Sequence, residues 1–473
     1  MENRHGVNVQ ELATSISSPS VAPVGIPFVI GASPVQSATA PVAAGMPVLI
    51  RNWNEALAAL GYSDDWDKYN LCEFMFSHFR LFERSPVVFC NLLDIDKMNS
   101  AVPAADVSIA DNRAKLPIEA IADTSLVVKP SASGTALEKG KDYETFYLDN
   151  ALVIEFLSSG AHFGEDSANV AYKMATPEAV TNDVVAVGLE NIENCLSTTG
   201  LVPDLICAPK YSKDPIVAAI MATKCKINGL FGAKALVDLN TVGSSGAKTY
   251  QEALVLKKTS NISDKNQIVC WPMLGNGGRK FHMSTQLAGV LAMVDTSNNG
   301  IPYESPSNKH YIADSIILAD GTPVILNHPQ ANIVEGRGIV TALRFITGLV
   351  CWGNYTACFP ENTDIKDYYI PINRMFDWVG NTVVRTHWRT LDRPMIPRII
   401  DSIMDGTNIW LNGLTGGGYL LGARVVYEDV ENNLEDLMRG IIRIRIFMTP
   451  PPPLKEINFL LEYDLSPFMA TLV

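Results

Sequence analysis

The sequence has little cysteine, and its cysteines are not spaced for metal binding. The eight cysteines are scattered over 473 residues, and none forms a C-x-x-C pair, so a zinc ribbon is not predicted. Several lie in apolar runs, such as Cys207 in LICAP and Cys270 in IVCWPML. Cys351 and Cys358 are too far apart for a usual ligand pair, and no histidine lies near them. We expect buried thiols of a protein made in a reducing cytoplasm, with no bound metal.

Long hydrophobic runs are also missing. No apolar stretch approaches the ~20 residues of a membrane-spanning helix. The N-terminal MENRHGVNVQ has no hydrophobic segment of the kind that a signal peptide contains. The sequence therefore predicts a protein that is cytosolic when synthesised and does not insert into a membrane.

Positive charge is in short supply. The formal net charge is −13 and the pI is near 5.1, which disfavours broad nucleic-acid binding because that requires a basic face. Hydrophobic residues make up 47% and charged residues 18% of the chain, as in ordinary folded proteins. A length of 473 residues allows two to four domains with substantial cores.

The motifs of common enzymes are absent or incomplete. GNGGRK at residues 275–280 lacks the Gly-Lys-Ser/Thr ending of a phosphate loop, and a surface turn is the better interpretation. GLTGGGYLLGA lies between a predicted helix and a predicted strand, opposite to the order of a dinucleotide fold. No G-x-S-x-G elbow occurs, and His387 with Asp392 has no nucleophile beside it. The sequence predicts no catalytic residue and no cofactor.

Two strand-like runs near the C-terminus are separated by four prolines. In the first run, alternate residues share one face: Ile442, Ile444, Ile446 and Met448. The second run does the same with Ile457, Phe459, Leu461 and Tyr463. The connection, residues 449–456, contains Pro450 to Pro453 and no glycine, unlike a hairpin loop. Such a spacer reaches roughly 25 Å at ~3.1 Å per residue. The proline-rich connection is either a crossover within one domain or a stiff arm that holds the last strand outward.

The N-terminus has a similar arrangement. Val7 and Val9 alternate in HGVNVQEL, and ATSISSPSVAPVG then reads as an extended linker. IPFVIGAS follows as a buried strand. Both ends of the chain therefore carry a short predicted strand at the end of a linker.

The middle of the chain divides into regions of different pattern. We predict an N-terminal arm at 1–25, the first part of a core domain at 26–96, an inserted β-rich outer domain at 97–176, an α/β domain at 177–361, a C-terminal domain at 362–448 and a C-terminal arm at 449–473. In the C-terminal domain, two long helices precede a strand in GGGYLLGARVVYED, which pairs with GIIRIRIFM. The fold class is a multidomain mixture of α/β and α+β.

A local basic run interrupts this acidic protein. TVVRTHWRTLDRPMIPR contains Arg385 and Arg389, which are four residues apart and are predicted to share one helical face. Such a face could meet an acidic partner or be a solvated helix surface with local ion pairs.

Together the two ends and the C-terminal region resemble one known family. HGVNVQEL, CWGNYTACFP, INRMFDWVGNTVVRTHW, IWLNGLTGGGYLLGARVVYED and RIRIFMTPPPPLKEINFLLEYD are similar to segments of the tail sheath proteins of contractile-tailed bacteriophages and phage-tail-like bacteriocins. The resemblance is strongest over about residues 330–473, recognisable at 5–33 and looser between them.

This resemblance implies a structural role. Sheath subunits polymerise helically around a tail tube and contract to drive the tube through a cell envelope. It implies terminal arms that donate strands to neighbouring copies: Val7, Val9, Ile457, Phe459, Leu461 and Tyr463. The acceptor strands would contain Val425, Tyr427, Ile442, Ile444 and Ile446, and the tube-facing residues would be Arg385 and Arg389.

The resemblance also implies partners and a location. The partners are other copies of the chain, the tail tube protein, and baseplate and tail terminator proteins, without direct nucleic-acid binding. The location is a virion tail or a bacteriocin particle, with assembly in the host cytoplasm. Two alternatives remain: a cytosolic α/β enzyme with a β-rich insertion, and a baseplate or tube subunit, although tube subunits are usually much smaller.

Overall fold

A computed structural model of the chain describes residues 19–470, with only the backbone of residues 469 and 470. The strands in this part are β1 (Pro27–Gly31), β2 (Pro47–Ile50), β3 (Val87–Asn91), β4 (Asn99–Ala110), β5 (Arg113–Pro117), β6 (Ala120–Ile121), β7 (Val127–Lys129), β8 (Tyr143–Leu148), β9 (Ala151–Phe156), β10 (Ser167–Ala175), β11 (Leu205–Cys207), β12 (Lys226–Ile227), β13 (Phe231–Gly232), β14 (Lys234–Asp238), β15 (Gln267–Cys270), β16 (Met273–Asn276), β17 (Arg279–His282), β18 (Ser315–Ile317), β19 (Ile339–Phe345), β20 (Gly348–Trp352), β21 (Gly422–Val426) and β22 (Arg445–Thr449).

Helices connect many of these strands. They are α1 (Trp53–Leu60), α2 (Asn70–Phe76), α3 (Asn182–Gly188), α4 (Cys195–Thr199), α5 (Pro215–Thr223), α6 (Tyr250–Thr259), α7 (Met283–Ser297), α8 (His328–Glu335), α9 (Ile365–Tyr368), α10 (Ile370–His387), α11 (Pro397–Gly416), α12 (Leu434–Met438) and α13 (Ser466–Ala470). No helix within residues 19–470 is long and apolar enough to cross a bilayer.

The largest layer is an eight-stranded sheet in the order β2-β3-β1-β11-β14-β15-β19-β20. The pairs from β3 to β19 are parallel, and β2 and β20 add antiparallel edges. Every residue of β1, β3, β14 and β15 is buried, as expected for parallel strands covered on both faces. Helices that include α2, α3, α5, α7 and α8 pack on the sheet. We call this sheet and its helices the body.

A second, antiparallel sheet is formed by β4 to β10. Its order is β6-β10-β4-β5-β9-β8, and β7 also pairs with β10. It has its own small core, which includes Leu116, Val128, Leu152, Ile154 and Phe156. These strands lie between β3 and α3 in the chain, where the sequence pattern predicts a β-rich insertion. The exact domain limits stay a prediction.

One prediction from local spacing needs correction. In PEAVTNDVVAVGLENIENCLSTTG, the helical spacing of Val185, Leu189, Ile192 and Leu196 predicts one helix with these residues on its apolar face. The stretch consists instead of α3, a 3-10 segment at Leu189–Asn194 and α4, and Leu196 is 40% exposed. A 3-10 segment rotates the residues that follow it to another face, because it has three residues per turn rather than 3.6.

The prediction that the cysteines are buried, and the interpretation of the two glycine-rich stretches, agree with the structure. All eight cysteines are buried free thiols. GNGGRK is the tight turn of the β16–β17 hairpin, where Gly277 and Gly278 have φ of +58° and +82°. GLTGGGYLLGA runs from the end of α11 into β21, so neither stretch has the strand–loop–helix order of a phosphate site.

Candidate assembly interface

The C-terminal part of the chain forms a small unit of its own. Helices α10 and α11 and strands β21 and β22 surround a core that contains Met375, Trp378, Val379, Leu411, Leu414 and Val425. We call residues 370–449 the C-terminal unit. Both helices begin with a proline in their first turn, where the missing N–H has no intrahelical partner to lose.

Strands β21 and β22 form an antiparallel pair in which Val425 lies opposite Ile446 and Ala423 opposite Met448. These four side chains pack against the core of the unit. On the other face, the Arg424 guanidinium lies 4.3 Å from the centre of the Phe447 ring. This sheet of two strands is too small to be stable by itself and depends on the helices beneath it.

The two outer edges of this sheet differ. Helix α11 packs along β21, and the Val425 N–H donates a 2.8 Å hydrogen bond to Asn408 Oδ1. Within residues 19–470, β22 pairs with no strand besides β21. Since the Val425 N–H points away from β22, its partner Ile446 directs its backbone groups away from β21, and so does Met448 two residues on. The edge of β22 is therefore an open template for another strand.

The acceptor residues predicted from sequence fall partly in this ladder. Val425 and Ile446 are paired, but Tyr427, Ile442 and Ile444 lie outside β21 and β22. Strand β22 begins only at Arg445, because the side chain of Asn432 forms two hydrogen bonds with the backbone of Arg443. The Arg443 N–H donates to Asn432 Oδ1 at 2.7 Å, and Asn432 Nδ2 donates to the Arg443 carbonyl at 2.9 Å. The strand predicted from GIIRIRIFM is thus too long at its N-terminal end.

The C-terminal arm leaves the unit directly after β22. Residues 456–465 form neither helix nor strand, and Ile457, Phe459, Leu461 and Tyr463 are 62%, 83%, 95% and 80% exposed. A contiguous apolar segment of this kind is uncommon on the surface of a monomer and marks an interaction site. A short helix, α13, follows.

The N-terminal linker lies on the same unit. The Ser20 and Ala22 N–H groups donate to Thr386 Oγ1 and Thr382 Oγ1 at 3.0 and 3.1 Å, and Trp378 Nε1–H donates to the Ala22 carbonyl at 2.9 Å. Val7 and Val9 lie outside the described residues. The described N-terminal linker and the C-terminal arm therefore both meet the C-terminal unit.

Buried charges join the C-terminal unit to the body. On α10, Arg374 donates to Asp295 Oδ1 at 3.0 Å and Oδ2 at 2.5 Å, and to Asp204 Oδ2 at 3.0 Å. Burial alone would lower the pKa of Arg374, but the two carboxylates outweigh it and raise that pKa. Nearby, buried Lys234 pairs with Asp377 at 2.5 Å. Such pairs make separation of the two parts costly, because it would leave buried charges unpaired.

The sequence-based interpretation missed this joint. A signal was available, since Arg374 and Trp378 are four residues apart in INRMFDW and therefore share a helix face. A charged residue on an apolar helix face indicates a buried partner of opposite charge.

The basic run is split by the end of α10. Arg385 is half-buried near the end of the helix, whereas Arg389 is exposed in a 3-10 turn, Trp388–Thr390. Arg385 and Arg389 therefore do not lie on one face of the same helix, contrary to the prediction. Trp388 and Leu391 beside them are 57% and 59% exposed, so this corner presents apolar as well as basic side chains.

His387, the last residue of α10, forms a 3.0 Å hydrogen bond between its Nε2 and Thr407 Oγ1. Burial lowers the pKa of His387.

The crevice where an α/β enzyme would bind its ligand is filled. The strand order reverses between β1 and β11, and ligands of open α/β sheets bind at such a point beyond the carboxyl ends of the strands. Here the Asn70 side chain occupies it. Asn70 Nδ2 donates to the carbonyls of Ile30 and Pro209 at 3.2 and 3.1 Å, and Asn70 Oδ1 accepts from the Ala32 N–H at 2.9 Å.

Comparison with known proteins identifies relatives, one of which aligns along nearly the whole chain. No protein-family model matches. The chain is 24% identical to the tail sheath protein of Burkholderia phage BcepMu, in an alignment that covers 99% of this chain and 98% of that protein. It is 23% identical to the tail sheath protein of Escherichia phage P2, over 60% of this chain and 69% of that one.

Solved structures with the same fold come from contractile assemblies. The sheath of the extracellular contractile injection system PVC, in the contracted state, superposes with a TM-score of 0.58 at 14% identity and covers 99% of each chain. The helical sheath of the anti-feeding prophage in the contracted state gives 0.56 at 15% identity, over 97% of this chain and 99% of that one. The mixed α/β fold is thus that of sheath subunits, and the resemblance indicated by the terminal motifs is confirmed.

Proposed function

We propose, taking as premise that this chain is related over its whole length to tail sheath proteins, that it is the structural subunit of a contractile tail sheath. Copies polymerise helically around a tail tube and contract to drive the tube through a target cell envelope. The observation that carries this function is the combination of an exposed apolar C-terminal arm with the open edge of β22.

In this assembly the arm of one subunit adds a strand to the sheet of another. Ile457, Phe459, Leu461 and Tyr463 supply one apolar face, and the backbone groups of Ile446 and Met448 receive the strand. Val7 and Val9 act in the same way from the other end. Because the donor and acceptor are different surfaces of the chain, the contact is head-to-tail, and in this proposal it continues as an open helix instead of closing into a ring.

The described sheets support the proposed division of the chain. The antiparallel sheet of β4 to β10 is the outer insertion at 97–176, and the body combines 26–96 with 177–361. Residues 362–448 form the inner domain, with arms at 1–25 and 449–473. The buried Arg374 joint makes the inner domain and the body move as one when the subunits repack.

The inner domain holds the tube in this proposal. Arg385 and Arg389, with the exposed apolar residues beside them, face the tube. Baseplate and tail terminator proteins bind the two ends of the polymer, and the subunit resides in a virion tail or a bacteriocin particle after assembly in the host cytoplasm. The enzyme alternative has no support from the relatives, and Asn70 fills the crevice that such an enzyme would use.

Electron microscopy of purified protein tests the function. We expect the full chain to form long striated tubes, and a chain without residues 456–473 to stay folded but not to polymerise. The circular dichroism spectrum and the thermal midpoint of the shortened chain establish that it is folded. Ordered tubes from the shortened chain would show that the arm is not what connects the subunits.

Point variants on the two faces of the arm provide a matched control. Phe459→Asp together with Leu461→Asp places charges on the face that would be buried, and we expect no tubes. Asn458→Asp with Glu462→Gln changes two residues of the opposite face and should leave tubes intact, because side chains alternate along a strand.

A further inference from the structure

The proline linker of the C-terminal arm is not held away from its own body. Pro450 is buried, and Pro451 to Pro453 line a groove together with Tyr303, Ser305, Asn308 and Trp352. Immediately after this tract, Lys455 Nζ donates a 2.7 Å hydrogen bond to the Tyr355 hydroxyl and lies 3.4 Å from Glu335 Oε1. The same ammonium group lies 4.2 Å from the centre of the Tyr355 ring.

Glu335 is an unusual partner for an exposed lysine. Its side chain is only 4% exposed, and it is the last residue of α8, where the helix dipole disfavours negative charge. Asn354 Nδ2 donates to Glu335 Oε1 at 3.1 Å, and Ser305 Oγ in turn donates to Asn354 Oδ1 at 2.6 Å. Among the described residues, Lys455 is the cation that pairs with this carboxylate. A buried carboxylate needs such a partner.

We propose that Lys455, Glu335 and Tyr355 form a clamp that fastens the base of the C-terminal arm to the subunit's own body and thereby fixes where the arm departs. This role rests on the proposed function, in which the arm is captured by a neighbour. With the clamp closed, a single residue, Glu456, separates the anchor from Ile457. With it open, the base of the arm can move within roughly 20 Å of Thr449, the reach of a six-residue proline-rich segment.

A fixed point of departure aids capture because less conformational freedom is lost when the strand docks. A contractile lattice requires the arm to be positioned during assembly and released during contraction, and the clamp serves both requirements. The arm is held in one direction while the polymer grows, and release of Lys455 then removes the charged anchor of the linker when neighbouring subunits rotate.

Limited proteolysis of the full-length, unassembled chain tests the clamp. Trypsin cleaves after Lys455, and cleavage requires the segment to be free of the body. We expect Glu335→Gln, which removes the charge but keeps an oxygen for Asn354, to accelerate this cleavage by about tenfold or more, because it removes a charge-assisted contact. Tyr355→Phe should accelerate it less.

Glu304→Gln is the matched control. It breaks the Glu304–Lys309 ion pair, which lies in the same groove but contains no residue of the arm. Trypsin should therefore cleave this variant at the same rate as the unchanged protein. Equal rates for Glu335→Gln and Glu304→Gln would overturn the clamp.

The concentration needed for polymerisation then tests what the clamp does. We expect Glu335→Gln, with an unchanged thermal midpoint, to need a several-fold higher concentration than the unchanged protein. Faster cleavage with an unchanged polymerisation threshold would overturn the aiming role. If the unchanged protein itself never polymerises, the sheath function is wrong, while the proteolysis result still decides whether the clamp exists.

Discussion

The body of this protein buries its apolar residues, whereas the C-terminal part exposes many of them. In the body, whole strands such as β1 and β14 are buried. Beyond residue 387, large apolar side chains are exposed in succession, and more than half of those exposed in the described part lie between Trp388 and Phe468. The body buries its apolar strands within one chain, whereas in the proposed assembly the exposed side chains of the C-terminal unit and its arm are covered by another molecule.

This contrast separates residues that stabilise the fold from residues that build the polymer. A substitution in the body should change the free energy of unfolding, and one in the arm should change assembly alone. Four experiments test this separation, beginning with the substitution of largest expected effect.

The joint between the two parts should be the most sensitive position. We expect Arg374→Met to lower the free energy of unfolding by about 4 kcal/mol, because Asp295 and Asp204 would remain buried without their cation. Chemical denaturation measures this value. Lys97→Met removes the exposed Lys97–Asp94 pair and should leave the free energy of unfolding unchanged within the error of the measurement, because exposed ion pairs contribute little. Similar values for the two variants would mean that the two parts are not joined through Arg374.

Two leucine-to-alanine substitutions compare the regions directly. Leu236 is fully buried in β14, and its replacement should cost about 3 kcal/mol from lost burial and the cavity left behind. Leu461 is 95% exposed, so Leu461→Ala should change the free energy of unfolding by less than about 0.5 kcal/mol while weakening polymerisation. A large loss of monomer stability at Leu461 would show that the arm packs on its own chain.

Acid should destabilise the body through His78. This side chain is fully buried against Phe74, with ring centres 4.1 Å apart, and burial lowers its pKa to about 3. A lowered pKa in the folded state means that stability falls as pH drops below about 6.5, where the unfolded chain takes up a proton. Between pH 7 and pH 5 the loss should be about 2 kcal/mol.

His78→Leu should remove that part of the pH dependence, measured by denaturation at both pH values. Pro450 to Thr471 contains no histidine, so assembly through the arm should not share this effect. An unchanged pH dependence in the variant would show that His78 is not the group that titrates.

Charge reversal at Arg385 and Arg389 should affect monomer stability least. Arg389 is exposed and Arg385 half-buried, so Arg385→Glu with Arg389→Glu should change the free energy of unfolding by about 1 kcal/mol or less. Assembly of the sheath on its tube should nevertheless weaken. Tails of normal length with a complete sheath, seen by electron microscopy, would show that these residues do not face the tube.

The sequence predicted the local elements of the body well where one signal dominated. The predicted strand IPFVIGAS matches β1. The stretch NWNEALAALGY predicts a short helix that ends at Gly61, and α1 does end there, with φ of +68° at Gly61, because glycine tolerates that conformation. The hairpin β19–β20 was not predicted, although GIVTALRF is strand-like in composition. On its other side β19 pairs with β15, which is far away in sequence, and no local pattern specifies that pairing.

The candidate interface was predictable only in outline. Alternation along the arm indicated its apolar face, but the clamp at Glu335 depends on a contact 120 residues away in sequence that no local pattern contains. Likewise, the start of β22 at Arg445 reflects the side chain of Asn432. Long-range side-chain contacts therefore decide the details of this interface.

The four consecutive prolines have one more consequence. Pro450 to Pro453 have no N–H groups, so this tract cannot supply a donor to any ladder. A donated strand that slid along β22 towards its own N-terminal end would lose its hydrogen bonds as soon as the tract entered the sheet. In the proposed assembly, the prolines therefore limit how far the donated strand can slide. Every subunit along the filament would then have the same pairing register, and successive rings a uniform spacing.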